Sequence, residues 1–151
     1  MKIAFLFLLV LLGSWFAGQW INSRVGTGSR EGEIIFHDQS ACELLKSECE
    51  FRQLEKNYRI KFIEKPSPLT PFTLQLKTEN LQPDAVEISF EMEGMDMGYA
   101  VYQMYYDPIL AVWQTKATLP VCSLGRGDWV LKTSLGSAGE WAVTEFRFLL
   151  E

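Results

Sequence analysis

From residue 58 onward the apolar positions of this chain recur in short runs or in strict alternation, broken by turn residues roughly every eight to twelve positions. A period of two puts successive side chains on opposite faces of a strand, and that spacing of turns is the pattern of a β-sandwich. The runs predict strands over residues 33–36, 58–63, 72–78, 85–91, 99–106, 111–119, 128–135 and 140–149. No long stretch of helical period follows Leu54. The expected fold class is therefore mainly β, an antiparallel β-sandwich of seven to eight strands in two sheets. Breaks between the runs have chemical causes. Pro66, Pro68 and Pro71 cannot donate to a ladder, Asp107-Pro108 starts a turn, and residues 136–139 include two glycines that permit positive φ. In the last run Trp141, Val143, Glu145, Arg147 and Leu149 share one face. Ala142, Thr144, Phe146, Phe148 and Leu150 share the other, which carries no charge and is the inward one. Trp113 and Trp129 are expected core anchors, with no function attached.

The N-terminal part departs from this pattern. Residues 3–21 carry no charge, close to the roughly 20 residues that span a bilayer core, with Lys2 before them and Arg24 after. A cleaved signal peptide is the competing reading. Cleavage after Ala17 would put Trp15 where a small residue is wanted, and cleavage after Gly18 would put Phe16 there. An uncleaved transmembrane helix fits better, with Trp15 and Trp20 suited to the interface. The chain thus divides into an N-terminal membrane anchor or signal peptide (1–24), a linker (25–32) and one sandwich domain (33–151). The sandwich is expected on the periplasmic side of the inner (cytoplasmic) membrane, held by a single pass. A net charge of −5, with no run of Lys or Arg outside the membrane flank, argues against nucleic acid as a partner.

Three cysteines form an odd set, which in an oxidising compartment means one pair and one thiol left over. Cys42 and Cys49 are the natural pair, but seven positions along an unbroken helix rise about 10.5 Å, too far for a bridge. Either residues 40–53 are a continuous helix with free thiols, or the segment bends and closes a disulfide. The bridged form is expected in an exported domain.

The chemistry concentrates in Phe90-Glu91-Met92-Glu93-Gly94-Met95-Asp96-Met97-Gly98-Tyr99. Three of the five methionines lie within this stretch. Thioethers are soft, uncharged donors that suit Cu(I) and discriminate against Zn(II). Methionine is equally a pliable core filler. Against simple packing stand the interleaved Glu91, Glu93 and Asp96, and Gly94 and Gly98, which weaken a regular strand. Cys122 stands in a second segment, Leu119-Pro120-Val121-Cys122-Ser123-Leu124-Gly125-Arg126-Gly127. Buried, it would be a small hydrophobe. Meeting the methionines at one end of a sandwich, it would complete a Cu(I) set of Met95, Met97 and Cys122, with Met92 in reserve and Met104 left to the core.

The Cys42/Cys49 pair before the strands, Gly94-Met95-Asp96-Met97-Gly98, Leu119-Pro120-Val121-Cys122 and Trp129 together resemble small single-anchor periplasmic proteins of the YtkA and FixH group. The resemblance covers most of the exported part. It implies an immunoglobulin-like sandwich that binds or relays copper, associated with cytochrome oxidase assembly. The only histidine, His37, lies far from the methionine segment, so a His-rich Cu(II) site is not available and only the Cu(I) version is open. A solvated or capping role fits His37 better. With one histidine, no Gly-x-Ser-x-Gly elbow, no phosphate loop and no His-Glu-x-x-His helix, an enzyme is not expected. Two function classes follow. One is a membrane-tethered copper(I) module whose partner is a membrane protein complex or copper chaperone, with no small-molecule substrate. The other is a metal-free interaction or assembly subunit of a membrane complex.

Overall fold

The computed structural model describes residues 34–39, 41–79, 82–95, 100–121 and 125–150. The predicted anchor and linker, Met97 and Cys122 lie outside them. The described residues belong to one compact unit. They form ten strands: β1 (Ile34–Asp38), β2 (Cys49–Gln53), β3 (Lys56–Phe62), β4 (Phe72–Thr78), β5 (Ala85–Met92), β6 (Val101–Gln103), β7 (Tyr105–Asp107), β8 (Val112–Ala117), β9 (Asp128–Ser137) and β10 (Glu140–Leu149). One sheet has the order β1-β10-β9-β5-β6, the other β2-β3-β4-β8-β7. Every pairing is antiparallel except β1 with β10.

Ten strands replace the seven or eight expected, for two reasons. Residues 49–53 alternate strictly, with Cys49, Phe51 and Gln53 buried and Glu50 and Arg52 exposed, so this segment is strand β2 and not a helix. The expected run 99–106 is cut at Met104, where the chain leaves one sheet for the other. Met104 N–H donates to Val86 C=O at 2.9 Å, and Tyr105 already pairs with Gln114 across the second sheet.

The core lies between the sheets, where inward side chains interlock. Phe51 of β2 meets Phe146 of β10 edge to face at 5.3 Å, Phe62 meets Phe148 at 5.5 Å, and Phe72 meets Phe90 at 5.6 Å. Each fully buried one among them, Phe72, Phe90 and Phe146, contributes on the order of 1.5–3 kcal/mol, while Phe62 is partly buried. In β10 the predicted inward face is the observed one, since Ala142, Thr144 and Phe146 are buried while Leu149 is exposed. Trp129 is 2% exposed, whereas Trp113 is partly buried and donates its indole N–H to Gln82 Oε1 at 2.6 Å. Cys42 and Cys49 form a disulfide with Cα atoms 5.9 Å apart, because residues 41–47 turn rather than run as a helix.

Register fixes the two ends of the sandwich. At one end lie the start of β1, beside Trp141, the β2–β3 and β9–β10 hairpins, residues 82–84 and the turn after β7. Glu79 N–H to Asn57 C=O, Asp84 N–H to Gly136 C=O and Ala138 N–H to Asp84 Oδ2 tie that end together. At the other end β5 runs out at Met92 and β9 begins at Asp128, opposite Leu149.

Candidate functional site

The methionine segment leaves β5 through a four-residue turn. Met95 N–H donates to Met92 C=O at 2.8 Å, with Gly94 third at φ 74°, the conformation a type II turn demands of that position. The turn separates its two methionines. Met92 continues the inward row Val86, Ile88, Phe90 and is 1% exposed, whereas Met95 is 36% exposed. The sulfur of Met92 is thus used in packing, and Met95 is the one expected ligand described on the surface. Met104 is core, as expected.

Two contacts staple the cysteine-bearing segment to the methionine-bearing one. On one side Arg126 donates from Nη2 to Glu93 C=O at 2.9 Å, while Nε donates to Asp128 Oδ1 at 2.9 Å and Nη2 also to Asp128 Oδ2. The guanidinium hydrogen bond holds the Asp128 carboxyl below the usual carboxylate range. On the other side the Tyr102 hydroxyl donates to Thr118 C=O at 2.7 Å and accepts from Thr118 N–H at 3.2 Å, joining the strand after the methionine segment to the start of the cysteine segment. Leu119 then anchors in the core, its C=O accepting from Leu69 N–H at 3.0 Å. Gly127 closes the segment, its C=O accepting from Leu150 N–H at 2.9 Å. A Cβ there would stand 2.0 Å from Leu150 O, so only glycine fits. Glu93 and Tyr102, before and after the methionine stretch, are thus tied to Arg126 and Thr118, after and before the cysteine stretch, while Met97 and Cys122 lie outside the described residues.

Comparison with known protein families, with characterised proteins and with solved structures finds no match to this chain. The site must be argued from its own residues.

Beside the turn a cleft of about 280 Å³ is lined by Glu93, Asp128, Trp129, Val130, Arg147 and Phe148, with Leu149 at its rim. Its Arg147 belongs to a charge row across four strands. Asp38 of β1 pairs with Arg147 of β10 at 2.8 Å, Arg147 with Glu145 at 3.4 Å, and Lys132 of β9 with Glu145 at 3.8 Å and with Glu91 of β5 at 2.5 Å. Asp38 hydrogen-bonds and attracts the Arg147 guanidinium, raising its pKa further. His37 is exposed on edge strand β1, within the strand rather than after it, and far in topology from the methionine turn. Among the described residues no three His, Cys, Asp or Glu side chains converge as a metal site. Sequence reasoning did not single out Arg126 or Tyr102. An arginine two residues before Asp128 was the available signal for the first, and nothing in the sequence pointed to the second.

Proposed function

We propose that this protein is a membrane-tethered, non-enzymatic module of immunoglobulin-like form that binds or relays Cu(I) through Met95, Met97 and Cys122 on the extracytoplasmic side. Its client would be an assembling cytochrome oxidase or a copper chaperone. The observation that supports the reading is the double staple, Arg126 to Glu93 and Tyr102 to Thr118, which joins the described residues on either side of the methionine-bearing stretch to those on either side of the cysteine-bearing stretch. Soft, uncharged donors there suit a monovalent soft cation and leave proton competition to a single thiol. The Cys42–Cys49 disulfide supports an oxidising compartment. A tether would raise the local concentration of the site near a membrane client.

Cu(I) titration of the whole chain in detergent against a chromogenic chelator tests this, with the Met95→Leu/Met97→Leu variant alongside. Volume is kept and sulfur removed, so tight one-to-one binding should be lost while the fold persists. Equal copper affinity in the variant would overturn the assignment. The second reading, a metal-free assembly subunit, is favoured by Met92 and Met104, whose side chains fill the core. It predicts no competition with the chelator by either protein.

A further inference from the structure

The turn between β7 and β8 projects Ile109, 92% exposed, and Leu110, 56% exposed, with Tyr105 69% exposed on the strand leading into it. Its backbone is prepared for a medium poor in hydrogen bonds. Pro108 has no N–H, and those of Ile109 and Leu110 both donate to Asp107 Oδ1, at 2.9 and 3.1 Å. The other carboxylate oxygen of Asp107 accepts from Gln114 Nε2 at 3.0 Å.

Leu110 and Val112 also wall a cleft of about 290 Å³ on the outer face of the second sheet, floored by Arg59, Lys61 and Lys77 beside Glu48. Lys61 and Lys77 make no ion pair among the described residues. Arg59 is spread over Glu48, Glu79 and Glu50 at 3.5, 3.6 and 4.0 Å, and its Nε has no hydrogen-bond partner. An apolar tip thus adjoins two unspent cations. The tip stands at the end of the sandwich where β1 begins. Residues 22–33 separate β1 from the apolar segment and span at most about 40 Å when extended.

We propose that this turn and cleft form a docking surface for an anionic lipid bilayer. Ile109 and Leu110 enter the headgroup boundary, Tyr105 sits at the interface, and Lys61 and Lys77 receive lipid phosphates. The proposal rests on the tether of the function above and not on copper.

The test uses the whole chain in lipid nanodiscs doped with a gadolinium-chelating lipid, reading the line widths of side-chain methyl groups. In discs of phosphatidylcholine and phosphatidylglycerol, the Ile109 and Leu110 methyls should broaden strongly and the Met95 methyl, at the opposite end, should not. Each lysine near an anionic surface contributes roughly fivefold, so Lys61→Gln/Lys77→Gln should lower the ratio of docked to free domain about thirtyfold, with an otherwise unchanged spectrum. Equal broadening in pure phosphatidylcholine, or inorganic phosphate displacing the docked state no less well than lipid phosphate, would overturn the lipid assignment. Sharp Ile109 and Leu110 signals in discs that retain the chain would also overturn it and leave this face to a protein partner. A chain that leaves the discs would overturn tether and docking together.

Discussion

Tyr58 is wholly buried, and its hydroxyl meets no hydrogen-bond partner among the described residues. Burial raises its pKa, so the phenol stays neutral through the physiological range. An unpaired buried hydroxyl costs about 1 kcal/mol or more, while its ring stacks on Phe51 at 5.4 Å. Tyr58→Phe keeps the stack and removes the cost, so thermal denaturation should show a melting temperature raised by a few degrees. A melting temperature lowered by several degrees would mean that an ordered water completes the site. Asp128 makes the opposite kind of contribution. Its folded pKa is depressed by Arg126, so the stabilisation it brings is present above the unfolded value of about 3.9 and is lost as pH falls through the folded value. Acid should therefore release Arg126 from Asp128 and loosen its hold on Glu93. The protection of the Met95 amide, taken relative to the intrinsic exchange rate at each pH, should fall in the wild type as pH drops through the folded value, and Asp128→Asn should show the lower protection already at neutral pH.

At the scale of elements, the small loop closed by Cys42 and Cys49 contributes about 2.5 kcal/mol on the chain-entropy argument. Cys42→Ala/Cys49→Ala should lower unfolding stability by that order in denaturant titration, and the unreduced, unfolded wild type should titrate as one thiol. How far the elements were legible follows from how strongly each is patterned. β4 falls on the expected residues because its alternation is unbroken, and β10 does so as a long apolar-rich run although Val143 is buried along with Ala142 and Thr144. β2 was not expected, since for residues 40–53 the sequence left open only a continuous helix with free thiols or a bend closing the disulfide, and five residues are too few for periodicity to reveal a strand. The break at Met104 is a change of sheet rather than a change of pattern, and alternation cannot signal it. Met92 was readable as core, being the fourth inward member after Val86, Ile88 and Phe90. The proposed soft-donor set rests on composition alone. The contacts that tie its flanking residues were not legible, because Arg126 to Glu93 and Tyr102 to Thr118 span 33 and 16 residues and exist only once the sheets are packed.

At the scale of the molecule, the first described strand lies parallel to the last, with Ile34 opposite Trp141 and Asp38 opposite Glu145. Strand β10 in turn supplies Phe146 and Phe148 to the seam between the sheets, so the core has no bottom row until it arrives. A chain emerging from the ribosome or from a membrane channel can close the cysteine loop and the β3–β4 pairing early, but the first sheet must wait for nearly the whole sequence. Topology of this kind places folding in the slow range of milliseconds to seconds, because the longest loop must be closed before its contacts repay it. The pairing of β1 with β10 is therefore a late step, since the edge strand made first has no partner in its sheet until residues 140–149 exist.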